Sequence, residues 1–138
     1  MITIISTPKP FTKKFKTIQE NALGSWKFLS DDVILFGDDW GVGSTARKFG
    51  FRHIPQIKKN KQGTPILSDI FAKAKLHAKN PIIAYVNTDV ILMKDFIRDI
   101  NRTYKRFNQF LFIAKRHNME LDHKVNFTKG WEERLKKE

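Results

Sequence analysis

Pro81-Ile82-Ile83-Ala84-Tyr85-Val86-Asn87-Thr88-Asp89-Val90-Ile91-Leu92 is the stretch that decides the fold of this chain. An apolar run ends in the polar triplet Asn87-Thr88-Asp89, and a second apolar run follows at once. The first run reads as a strand buried on both faces, the kind found inside a parallel sheet. The triplet then sits at the carboxyl end of a central strand, where open α/β sheets bind their ligands. A carboxylate fixed there, Asp89, is well placed to hold a divalent cation through hard oxygen. That placement points to phosphate chemistry.

Elements of the matching kind lie on both sides. Residues 2–6 read as a short strand, and Phe11, Phe15, Ile18, Ala22, Trp26 and Leu29 recur at helical spacing. Val33-Ile34-Leu35-Phe36 is a second buried strand, and Gly37-Asp38-Asp39-Trp40-Gly41-Val42-Gly43 a loop. A short helix over 44–49 ends at Gly50, a left-handed cap. Residues 51–57 hold a third strand, which Pro55 assigns to a sheet edge. Thr64-Pro65 reads as the cap and first turn of a helix reaching about residue 79. Another helix spans 94–107, and Phe110-Leu111-Phe112-Ile113-Ala114 is a last buried strand. Beyond Lys115 the pattern fades, so residues 118–138 read as a peripheral tail of one domain covering 1–138.

Strands alternating with helices specify an α/β fold: a three-layer, Rossmann-like, mainly parallel sheet flanked by helices. Right-handed crossovers make the first strand and the 82–86 strand neighbours if the sheet winds both ways from the first strand. The crevice between their ends is the topological switch point. Thr7-Pro8-Lys9, Gly37-Asp38-Asp39 and Lys115-Arg116-His117 each follow a predicted strand and gather at the same edge.

Composition narrows the class. The 138 residues are enough for one domain, and the 41% hydrophobic content supports a core filled largely by 12 Phe. The absence of cysteine excludes disulfides and thiolate metal sites and fits a reducing, cytoplasmic location. The apolar start is too short for a signal peptide, and no window is long enough for a membrane span. The net charge of +12 favours anionic partners, or is mostly solvated surface. His53, His77, His117 and His123 show no catalytic or zinc spacing. Trp26 reads as a packing residue, and Trp40, in the acidic loop, as packing or as a ring that stacks on a base.

Taken in order, Ile4-Ile5-Ser6-Thr7-Pro8-Lys9-Pro10-Phe11, Ile34-Leu35-Phe36-Gly37-Asp38-Asp39, Gly63-Thr64-Pro65, Tyr85-Val86-Asn87-Thr88-Asp89-Val90-Ile91-Leu92 and Phe112-Ile113-Ala114-Lys115-Arg116 resemble a small glycosyltransferase of the GT-A type. The resemblance implies a nucleotide-diphospho-sugar transferase fold and a metal-dependent transfer of sugar from a UDP- or GDP-sugar to a glycan or other acceptor. The family's Asp-x-Asp motif, which binds Mn2+ or Mg2+, falls on Asn87-Thr88-Asp89. Asp89 matches its last carboxylate. Asn87 departs from the motif and offers an amide oxygen without formal charge, which implies weaker metal binding. Asp38 and Asp39 match the acidic position that contacts the base or ribose, and Arg116 resembles a position near the donor sugar or phosphates. Thr7 opens the loop after the first strand, within hydrogen-bonding reach of a nucleotide, and Gly63-Thr64 begins a helix whose free N–H groups would face it.

Each of these residues has a plainer reading. Asp38-Asp39 beside glycines suits a simple turn. Thr7 suits a turn before Pro8, Thr64 a helix cap, Asp89 a loop or cap carboxylate, and Arg116 surface charge. No residue stands out as catalytic base. The family's acceptor half lies after the motif, so residues 118–138 look short for it, as in a C-terminally truncated chain or one needing a partner. A basic, non-catalytic nucleic-acid-binding domain is the alternative, on the strength of Lys13-Lys14-Phe15-Lys16 and Lys58-Lys59-Asn60-Lys61. Against it, the basic residues are scattered and no recognised motif appears. A nucleotidyltransferase would show a Gly- and Arg-rich phosphate loop after the first strand, and residues 6–11 do not.

Overall fold

The computed structural model describes all residues from Met1 to Glu138. Four strands form one sheet: β1 (Ile2–Ser6), β2 (Asp32–Phe36), β3 (Arg52–Ile54) and β4 (Ile82–Tyr85). Their spatial order is β3-β2-β1-β4, and every pairing is parallel. The helices are α1 (Lys13–Trp26), α2 (Val42–Phe49), α3 (Leu67–His77), α4 (Lys94–Arg106) and α5 (Trp131–Lys136).

Side-chain alternation along the strands sorts the helices into layers. Ile4, Val33 and Leu35 point to one face and pack with Ala22, Leu23 and Trp26 of α1, Val42 and Ala46 of α2, and Phe96 of α4. Ile5, Ile34 and Phe36 point to the other, against Ile70 and Ala74 of α3. The domain is therefore a three-layer, Rossmann-like α/β fold, with β1 and β2 buried throughout at its centre.

Three expectations are corrected. The 82–86 strand is not central: β4 closes the sheet, and its residues are only half-buried. Residues 110–114 form no strand and are mostly exposed. The tail is held instead at residues 123–135. Asn21 on α1 donates to the His123 carbonyl (2.9 Å) and accepts from the Val125 N–H (2.9 Å). Trp131 and Leu135 of α5 are buried, and Phe127 stacks edge-on against Trp131 at 5.0 Å. Residues 108–122 connect α4 to this docked segment without backbone hydrogen bonds to β4. The third correction concerns Thr64, which does not cap a helix: α3 begins three residues later, after Ile66 in extended conformation. The edge position of β3 and the left-handed Gly50 cap (φ 73°) hold, while residues 42 and 43, read as loop, form the first turn of α2.

The amino pole of the sheet is fixed by one buried carboxylate. Asp32 is 1% exposed and accepts from Arg52 (2.7 Å), Thr3 Oγ1 (2.7 Å) and the Lys79 N–H (2.9 Å). Burial alone pushes this carboxyl up. The Lys79, Thr3 and Arg52 hydrogen bonds and the Arg52 charge outweigh it and hold the group below the usual carboxylate range. Its contribution to stability is complete above about pH 4 and is lost as pH falls through the folded-state value. Asp32→Ala is expected to cost about 2–4 kcal/mol at neutral pH, because it strands Arg52 and Thr3. Urea unfolding of Asp32→Ala and the parent should converge as pH drops below about 4; parallel curves would contradict the assignment.

Helix α1 and the tail meet so closely at Gly24 that a β-carbon there would run into the Phe127 ring. Gly24→Val is expected to destabilise by about 1–3 kcal/mol and to expose residues 123–131 to protease. Unchanged cleavage would mean that the tail is not seated on α1.

Candidate functional site

In an all-parallel sheet every strand ends on the same side, so the loops after β1, β2, β3 and β4 share one edge. The chain leaves β1 toward β2 and β3 on one side, while β4 lies on the other. The switch point therefore falls between the carboxyl ends of β1 and β4, where Ser6-Thr7 meets Asn87-Thr88-Asp89.

Hydrogen bonds hold this junction from three directions. The Val86 N–H donates to the Ile5 carbonyl at 3.0 Å, extending the β1–β4 ladder past the end of β4. The buried Ser6 hydroxyl lies 2.5 Å from the Val86 carbonyl, to which it donates, and 2.6 Å from Thr88 Oγ1. From α1, Trp26 Nε1 donates to the Val90 carbonyl (2.9 Å), and Ser25 Oγ accepts from the Leu92 N–H (3.0 Å). The Val90 N–H closes a turn on the Asn87 carbonyl at 3.1 Å. With Thr88 buried in the middle of this turn, Asn87 and Asp89 on either side are left facing solvent.

Asp89 meets Arg116 at 3.5 Å, with the two side chains 50% and 55% exposed. This separation is longer than a charge-assisted hydrogen bond, and exposed pairs of this kind contribute only about 0–1 kcal/mol. The pair is a loose one that an incoming ion can exchange. Thr7 is half-buried, and its hydroxyl lies 2.8 Å from the Tyr85 hydroxyl. Gln19 clamps the next loop residues by accepting from the Lys9 N–H (2.7 Å) and donating to its carbonyl (2.9 Å).

The loop after β2 forms a second cluster on the same edge. Gly37 takes a left-handed conformation (φ 103°), and its carbonyl lies 2.6 Å from His53 Nε2. Asp38 and Asp39 follow, exposed, and Lys59 bridges them at 3.5 and 3.7 Å. A recess of about 310 Å3 opens here, lined by Asp38, Pro55, Gln56, Ile57 and Lys59. Another recess, at the amino pole, is lined by Asp32 and Arg52, which already satisfy each other.

The sequence-predicted residues divide accordingly. Thr7, Asn87, Asp89 and Arg116 come together at the switch point, while Asp38 and Asp39 stand one strand over. Thr64 stays outside both clusters, in an exposed turn where its N–H donates to Asn60 Oδ1 (2.9 Å) and its side chain makes no hydrogen bond. Trp40 is 72% exposed rather than packed. Sequence reading missed Ser6, Thr88 and Tyr85, whose hydroxyls shape the junction. Their one signal was position: polar groups interrupting or ending apolar strands at the predicted crevice.

No three His, Cys, Asp or Glu side chains cluster as a self-sufficient metal cage. Asp89 and Asn87 offer one carboxylate and one amide oxygen. That donor set suits a Mg2+-like ion whose remaining ligands are water and substrate phosphates, and it does not suit an ion held by protein alone. No protein-family model matches this chain, and no curated protein matches it closely enough to assign a family.

Ser6→Ala is expected to leave Thr88 short of a partner and to cost about 1–2 kcal/mol. Amide hydrogen exchange should quicken at residues 86–90 and stay unchanged at the amino pole. Equal protection at residues 86–90 in both proteins would refute the role given to Ser6.

Proposed function

We propose that this chain is the donor-binding domain of a metal-dependent glycosyltransferase of the GT-A type, taking a UDP- or GDP-sugar. The observation that carries this reading is the turn at Asn87-Thr88-Asp89, braced by Ser6 and Trp26, with an exposed carboxylate at the switch point of a parallel sheet. Asp89, with Asn87, would hold Mn2+ or Mg2+ together with the donor diphosphate. Bound there, such a cation would supply Lewis-acid stabilisation of the charge on the leaving diphosphate. Arg116 exchanges its loose partner for a phosphate oxygen, where a guanidinium makes a bidentate contact. Asp38 or Asp39 accepts from a base N–H or ribose hydroxyl, and Thr7 hydrogen-bonds the nucleotide. The remaining needs of the reaction, an acceptor site and a base to take the acceptor proton, are not assigned to residues of this chain.

The alternative reading draws on the net charge of +12 and predicts oligonucleotide binding with a steep salt dependence. Thermal unfolding separates the two. With Mn2+ and a saturating UDP- or GDP-sugar, at about a hundred times Kd, the domain should gain about 2.7 kcal/mol. The gain should vanish with chelator and in Asp89→Ala. Stabilisation by oligonucleotide alone, indifferent to Asp89→Ala, would overturn the transferase reading.

A further inference from the structure

Residues 102–116 combine two properties rarely found together on an exposed stretch. They contain five cations, Arg102, Lys105, Arg106, Lys115 and Arg116, and no carboxylate. They also expose large apolar side chains: Leu111 at 86%, Ile113 at 83%, Phe107 at 56%, with Tyr104 and Phe112 beside them. The stretch begins in the last turns of α4 and continues as extended chain. No backbone hydrogen bond ties residues 108–122 to the rest of the domain. Aliphatic side chains held this far into water lower the free energy only when something apolar covers them.

We infer that this stretch docks the protein on an anionic lipid bilayer, as a peripheral contact. Leu111, Ile113 and Phe107 enter the boundary between headgroups and acyl chains, while Arg102, Lys105, Arg106 and Lys115 meet lipid phosphates through flexible stems. Charge selects this occupant over a second copy of the chain, since two such surfaces facing each other would set five cations against five. The apolar residues select it over nucleic acid. A base can stack on Tyr104 or Phe107, but a polyanion leaves Leu111 and Ile113 uncovered. No helix of the chain is long and apolar enough to cross a membrane, so the contact is with the surface. Arg116 apart, which pairs with Asp89, the inference is independent of the donor site.

Co-sedimentation with vesicles tests it. The full chain should bind vesicles of equimolar phosphatidylcholine and phosphatidylglycerol and ignore pure phosphatidylcholine. Leu111→Asn combined with Ile113→Asn should weaken binding by about tenfold or more. Because both side chains are solvent-exposed, the melting temperature should not move. Lys105→Glu with Arg106→Glu should weaken binding at least as much, and added salt should weaken it in the parent. Vesicle binding that ignores both double substitutions would overturn the inference. So would a salt-sensitive complex with an oligonucleotide that excludes vesicles yet tolerates the Leu111 and Ile113 changes. A stable dimer dispersed by those same changes would equally overturn it.

Discussion

Strand β1 is hydrogen-bonded on both edges, to β2 through Thr3↔Asp32 to Ser6↔Leu35 and to β4 through Ile2↔Ile82 to Ile5↔Tyr85. The rest of the architecture follows from this double pairing. The chain must leave one central strand in one direction and return on its other flank, so the loops at its carboxyl end diverge and a crevice opens between them. Buried polar groups fasten both poles of the central strand. Thr3 reaches Asp32 at the amino end, and Ser6 reaches Thr88 at the carboxyl end. The first bond belongs to a satisfied network whose role is stability. The second fixes the backbone of a turn whose flanking side chains remain free to bind.

That division explains where charge is tolerated. Asp32 is surrounded by donors and has no capacity left for a ligand. Asp38, Asp39 and Asp89 are exposed, and their side chains meet only Lys59 and Arg116, at 3.5 Å or more. Such pairs contribute little to folding and are easily exchanged, which is what a site for a cation and an anionic phosphate requires. On the proposed reading, the amide at Asn87 leaves the turn with a single carboxylate, so a cation bound there would rely on oxygens from the nucleotide.

Much of this was legible in the sequence, wherever the signal was local. Short apolar runs at residues 2–6 and 33–36 gave strands, Gly50 gave a left-handed cap, and Pro55 gave an edge. The order of elements then gave the neighbours of the first strand. Signals that depend on distant partners failed. The β4 run looks central because it is apolar, yet burial requires a further strand beyond it. Residues 110–114 have strand-like composition, but no backbone hydrogen bond pairs them with a strand, and the tail is first held again where Asn21 of α1 meets residues 123 and 125. The pattern fades in the tail because α5, with buried Trp131 and Leu135, has too few turns to show a period, and its docking rests on Phe127 meeting Gly24. Thr64-Pro65 carries a helix-start pattern that Asn60 captures for a tight turn instead. At the candidate site, the carboxylates were visible as strand-end residues. The hydroxyls of Ser6, Tyr85 and Thr88 were not, because their role exists only once two strands lie side by side.

The central claim is that the turn at residues 87–89 presents one carboxylate to a cation carried by a nucleoside diphosphate. Paramagnetic broadening of backbone amide resonances by Mn2+ tests it most directly, in the presence and absence of UDP or GDP. The account predicts broadening centred on Asn87–Val90, spreading to Thr7 and Arg116, that is strong only when nucleotide is present and absent from Asp89→Ala. Broadening centred elsewhere, or identical with and without nucleotide, would contradict it.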